Sequence, residues 1–304
     1  MLGWSLSLTE AFGIQKFVAS YLAVTLTIGL FANGLLILVT WRTPSMRCPC
    51  NILIAIQAFM DIIVSFGHLV YYRFLYTDTV ISYRDCYTYQ FVPTSAMNLT
   101  TTLMLIVGID RYICIRYPFR YRRWPKKTYI ACLLSACVIY DLIVKIVGYL
   151  TLTEDKVICL IADGYVGFGK DFWVVTQVVI SVSVLIIYLK IRKQMRNTSP
   201  VIKRVRNIAI IYSLYTIVIF YIFGWLTTMV LLGALRVLKT EPNFTTTAEL
   251  FAGFFANVNM VIPAFVYFKR SITYKNALRR MIYWKGTTTI GPSVSHLAYR
   301  SSLV

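Results

Sequence analysis

Seven apolar runs, at 17–40, 51–72, 89–114, 128–150, 166–189, 207–233 and 247–268, constrain this chain more than any other feature. A hydrocarbon layer about 30 Å thick needs about 20 apolar residues of helix, so each run is long enough to cross it. Backbone groups in lipid must be satisfied within their own segment. These runs lack the alternation of barrel strands, which leaves helices. The composition agrees: 58 % of residues are hydrophobic and 14 % charged, against roughly 45–50 % and about 25 % in soluble chains. The expected fold is an all-α membrane protein, a seven-transmembrane helix bundle.

The bases orient it. Counting Arg111 with the connection it adjoins, 23 of the 31 Lys and Arg lie after runs one, three and five and in the tail. Basic connections stay inside, so the tail is expected in the cytosol and the N-terminus outside, in a multi-pass plasma-membrane protein. Ten of the twelve acids fall outside or in the outer half, with Asp61 at mid-depth and Asp110 at the inner edge. The net charge of +19 is then a cytosolic face that sets orientation and attracts anionic lipid, and it does not call for nucleic acid. The first run is too long for a cleavable signal peptide and lacks a basic start and a small-residue cleavage site, so it is expected to stay as the first helix. Of seven cysteines, only Cys86 and Cys159 share the oxidising side, which makes them the one plausible disulfide.

Short connections join the runs, with no repeat or low-complexity block, so one domain is expected. Residues 1–268 form the bundle, 269–285 an amphipathic interfacial helix, and 286–304 a flexible cytosolic tail. On the helix, Phe268, Ile272, Leu278, Ile282 and Trp284 make an apolar strip opposite Lys269, Arg270, Lys275, Arg279 and Arg280. The tail holds Thr and Ser that kinases could reach, although a plain disordered tail is the simpler reading. Asn243 in "NFT" lies in an outer connection and could carry glycan; Asn98 in "NLT" and Asn197 in "NTS" lie in the membrane and the cytosol, where they cannot.

Run three ends in "GIDRYICIRYP", residues 108–118. Arg111 follows Cys86 by 25 positions, about 37 Å of helix, which is one membrane crossing. Asp110, Arg111 and Tyr112 therefore sit at the inner mouth, with the disulfide at the opposite end. This arrangement resembles the third helix of rhodopsin-like G-protein-coupled receptors. The resemblance extends over about 17–283, and "PCNILIAIQAFMD", "VGIDRYICIRYPF" and "VYFKRSITYKNA" are most similar to nematode serpentine chemoreceptors of the Srsx type. It implies roles residue by residue. Asp110, Arg111, Tyr112, Pro118, Phe119, Tyr188 and Tyr267 would serve coupling and activation, with Phe119 inserting into a heterotrimeric G protein and Asp110 holding Arg111 at rest. Asn33, Asp61, Thr100, Trp225 and Asn259 would form the switch and polar core, with Na⁺ at Asp61 as a possible bound ion. A protonated or water-bonded Asp61 that simply stabilises the bundle is the alternative.

Departures from the family pattern matter equally. Run four has no Trp, Ile180 lies near the usual proline of run five, Thr227 replaces the proline after Trp225, and Pro263 precedes Tyr267 by four residues. The hinge of helix six is thus unaccounted for. No Asp or Glu occurs between Asp171 and Glu241, so helix six offers no carboxylate to clamp Arg111, and elevated basal signalling is expected. Asp141 and Lys145 stand four apart and are expected to pair along one face of run four, a structural role.

By register, Tyr71, Gln90, Pro93, Thr94, Met97, Trp225, Thr228, Met229, Gly253 and Asn257 should face a ligand cavity. Pro93 stands where amine-binding relatives carry Asp, which disfavours a biogenic amine; a small neutral or weakly polar ligand fits better, with a peptide as the other possibility. Catalysis and metal binding find no support. His68 and His296 lie on opposite sides, and Cys48 with Cys50 lacks a second pair of ligands. The rivals are a receptor-fold scaffold that does not signal and a transporter, but a transporter should show repeats and several central charges, which this chain lacks.

Overall fold

The computed structural model describes residues 8–196, 208–238 and 242–283. Helices account for nearly all of them: α1 (Leu8–Arg42), α2 (Pro49–Tyr76), α3 (Tyr83–Tyr89), α4 (Phe91–Arg116), α5 (Pro118–Arg123), α6 (Lys126–Leu150), α7 (Gly167–Arg196), α8 (Ile208–Tyr221), α9 (Thr227–Leu238), α10 (Pro242–Arg270) and α11 (Ile272–Tyr283). A π-helical turn, Ile222–Leu226, joins α8 to α9 into one continuous rod. The seven spans are α1, α2, α4, α6, α7, the α8–α9 rod and α10, each long and apolar enough to cross a membrane. Prolines open several helices, at Pro49 in α2 and Pro118 in α5, where the missing N–H has no intrahelical partner anyway.

Burial ranks the spans. About two thirds of the apolar window of α4 is buried, against about a fifth for α6, so α4 is the central pillar and α6 a peripheral stave. The bundle leaves Phe31, Phe59, Leu150, Phe223 and Phe265 exposed, a ring of apolar side chains that water would not tolerate and lipid does. Two glycines set close approaches. A Cβ on Gly67 would come within 2.7 Å of Gln90 Oε1 and of Pro93 Cβ, so the start of α4 leans on α2. A Cβ on Gly224 would meet Asn259 Cβ and the Phe255 carbonyl, both at 2.8 Å, so the π turn lies hard against α10.

A two-residue antiparallel ladder, β1 (Ile81–Ser82) with β2 (Lys156–Val157), pairs Ile81 with Val157 and Ser82 with Lys156. Beyond α10, α11 turns Tyr274 and Ala277 onto the bundle and leaves Ile272 and Ile282 more than 60 % exposed. Those two isoleucines belong to the apolar strip read from the sequence, and they point away from the protein. Trp284, residues 286–304, Asn197 and the side chain of Asn243 lie outside the described residues.

Candidate functional site

At one end of α4, Cys86 is bonded to Cys159, as the sequence predicts. The ladder and a bond from Tyr83 N to the Asp155 carbonyl (3.0 Å) fasten the same loop to α3. The Tyr83 phenol is pushed up to about 12, first by burial and then by the nearby Asp163 carboxylate. Leu160, Ile161 and Ala162 come straight after the bonded cysteine and form part of the wall of a mostly apolar cavity.

Of the ten residues expected to face a cavity, Met97, Trp225, Thr228, Met229, Gly253 and Asn257 line this one. Tyr71, Gln90, Pro93 and Thr94 do not, and the lean of α4 on α2 is the reason. It turns Gln90 Nε2 onto the Gly67 carbonyl at 3.0 Å and packs Pro93 against Gly67. Thr94 donates to the Gln90 carbonyl at 2.6 Å and accepts from Lys145, while Tyr71 is buried with its hydroxyl 3.4 Å from Gln15 Oε1. Sequence reasoning missed His68, Trp173 and Glu249, which also line the cavity. Glu249 Oε2 lies 2.8 Å from Lys170 Nζ, which is 3.1 Å from Asp163 Oδ1. A polar residue one turn into an apolar run was the available signal.

Below the cavity a buried polar relay reaches Trp225. Asn98 Nδ2 donates to Asp141 Oδ1 (2.8 Å) and to the Tyr165 hydroxyl (3.0 Å). Asn98 Oδ1 accepts from Trp173 Nε1 (3.0 Å) and Gln177 Nε2 (3.3 Å), and Gln177 Oε1 accepts from Trp225 Nε1 (3.2 Å). Asp141 and Lys145 therefore do not pair with each other as expected. Both point inward to α4, where Lys145 Nζ donates to the Phe91 carbonyl at 2.8 Å and sits 4.4 Å from the centre of the Phe91 ring.

At mid-depth, Thr100 donates to Asp61 Oδ1 at 3.2 Å. Asn259 and Gln57 share a small cavity with this pair, and Asn259 Oδ1 is buried without a partner. These oxygens are the kind a hard cation takes. Asn33 lines the adjoining cavity with Asp61, although its amide donates to the Met260 carbonyl at 3.2 Å.

At the far end of α4, Asp110 Oδ1 accepts from the Tyr121 hydroxyl of α5 at 2.8 Å, and its Oδ2 has no partner. Burial and this carboxylate raise the Tyr121 phenol far above its usual range. No ion pair joins Asp110 to Arg111, contrary to expectation: consecutive helix positions do not face each other, and Asp110 turns its carboxylate to the Tyr121 hydroxyl of α5. Arg111 is half-buried with Nε unpartnered, in the field of which lie the buried Tyr188 and Tyr267. Tyr112 is half-buried, Pro118 begins α5, and Phe119 stands 80 % exposed. Helix six is tied here by bases rather than acids: Arg270 Nη1 donates to Thr216 Oγ1 at 2.6 Å, and Arg192 Nη1 to the Tyr215 hydroxyl at 3.2 Å.

A cavity under a disulfide-bound loop, a tryptophan relay beneath it and an Asp-Arg-Tyr sequence thus lie along one central helix. The family profile of the serpentine type 7TM GPCR chemoreceptor Srsx matches residues 26–282. The chain belongs to this family. It is a receptor of the G-protein-coupled type, not an enzyme, and a multi-pass membrane protein. It is also 27 % identical to a dopamine receptor 3 of Caenorhabditis briggsae over 107 residues, 34 % of this chain and 18 % of that protein. The chain thus spans less than a fifth of the length of that curated relative.

Proposed function

We propose that this Srsx-family receptor is a chemosensory receptor of the plasma membrane that binds a small molecule from outside, at the disulfide end, and activates a heterotrimeric G protein at the Arg111 end. The observation that carries the reading is the continuity of α4. One helix carries Met97 in the cavity wall, Asn98 in the relay to Trp225, and Arg111 at the opposite mouth. A ligand acts only if it prefers one packing of this bundle over another. Trp225 lies in the cavity wall and in the π turn, so a molecule touching the indole bears directly on the segment that must move.

In the active state the inner end of helix six parts from α4, and Arg111, Phe119 and the basic third connection face the G protein. The exposed Phe119 needs no rearrangement to be reached. Na⁺ at Asp61, with Thr100 and Asn259, would favour the resting packing. The relative named a dopamine receptor raises an amine as ligand, and Pro93 argues against an amine held on α4. Ligand-stimulated nucleotide exchange on purified heterotrimeric G protein tests the reading. Exchange that rises with ligand and is lost in Arg111→Ala supports it; binding without any exchange would establish the receptor-fold scaffold instead.

A further inference from the structure

Charge sets one part of the cavity wall apart. Lys170 is flanked by Asp163 and Glu249, and all three side chains are at most 8 % exposed. The neighbouring pair of Arg236 with Asp171, 2.7 Å apart, is neutral as a whole. One ammonium between two carboxylates leaves one negative charge in excess in a nearly dry place. Asp163 Oδ2 is buried without a hydrogen-bond partner. Such a charge is unfavourable until a proton or a cation neutralises it.

The cavity gives a cation access. Glu249 lines it, and so does His68, which is 6 % exposed with neither ring nitrogen partnered. A neutral imidazole has one donor and one acceptor to offer. Met97, Trp225 and Met229 make the wall otherwise apolar. We propose that the cavity takes a small monocationic amine, its ammonium on Glu249 beside Lys170 and Asp163, its apolar body against Met97 and Trp225, and a hydroxyl or similar group on His68. The inference rests on the cavity being the ligand site. It moves the anchor for positive charge from α4, where Pro93 stands, to α10. The sequence favoured a neutral ligand because it took no account of Glu249.

The test uses the purified full chain, with thermal unfolding midpoints measured against phenethylamine and hexylamine and against the alcohols of the same carbon skeletons. The amines are expected to raise the midpoint, at concentrations roughly 30-fold or more below those at which the alcohols do. Glu249→Gln should erase that preference while the unliganded midpoint stays level or rises, because Lys170 keeps Asp163 as a balanced partner. Asp163→Asn removes the same excess charge without touching the cavity wall and should weaken amine preference in the same direction. Equal action of amines and alcohols on the wild type, no shift with either amine, or full amine preference in both variants overturns the proposal. Amine binding with no nucleotide exchange on added G protein would overturn the signalling reading and leave this one standing; exchange driven by the alcohols alone would do the reverse.

Discussion

Gln177 is fully buried, and its Oε1 is the acceptor for the Trp225 indole N–H. Gln177→Leu leaves that N–H buried and unpartnered, a cost of about 1–3 kcal/mol. The expected result is a lower midpoint of thermal unfolding together with altered ligand efficacy. A midpoint unchanged from wild type would show the relay to be idle. Asp61→Asn removes the one carboxylate of the mid-depth polar cluster, so agonist affinity that falls with added Na⁺ in the wild type should become indifferent to it in the variant. An equal Na⁺ response in both would assign Asp61 to packing. Asp61 and Arg111 were legible in the sequence because a charged residue inside or at the edge of an apolar run has few explanations. Asn98 and Gln177 carried the same signal more faintly. The partners of Asp141 and Asp110 were not legible, since they depend on which way α6 and α5 face α4, and spacing along one helix says nothing of that.

Between α8 and α9 the π turn replaces the proline that the family pattern would put at Thr227. Thr227 Oγ1 donates to the Ile222 carbonyl five residues back at 3.2 Å, and bulges of this kind break a helix locally, as proline does. Deleting Phe223, a lipid-facing residue of the turn, should restore plain α-helix. The expected outcome is a receptor that still binds ligand but stimulates nucleotide exchange weakly. Exchange at wild-type level would mean that helix six pivots elsewhere. A π turn leaves no single-residue mark, which is why the sequence showed a missing hinge and not its substitute. At the Arg111 end of the same helix, Arg270→Ala removes the tie to Thr216 and should raise exchange without ligand, measured at matched surface expression.

As a whole, the bundle follows from hydrophobic length alone, and all seven spans appear where the apolar runs stand, with ends shifted by at most eight residues. The cavity was legible only in part, because register assigns a residue to a face but the lean of α4 on Gly67 decides what that face meets. Orientation belongs to this scale too. Epitope tags at the two chain ends, probed on intact and permeabilised cells, should find the C-terminal tag only after permeabilisation. Tags with the opposite exposure would reverse the proposed inside and outside. With no carboxylate on helix six to restrain Arg111, cells expressing the wild type should show more second messenger than cells expressing Arg111→Ala at equal surface expression, and equal levels would rule out basal coupling.

The loop that roofs the cavity is not a free flap. Leu160 and Ile161 adjoin Cys159, whose sulfur is joined to the helical turn directly above α4. A molecule wedged beneath Ile161 therefore pulls, through covalent bonds, on the head of the same rod whose foot bears Arg111. A membrane-impermeant thiol reductant would slacken that bridle, and a receptor so treated should keep its hold on a bound small molecule while stimulating less nucleotide exchange.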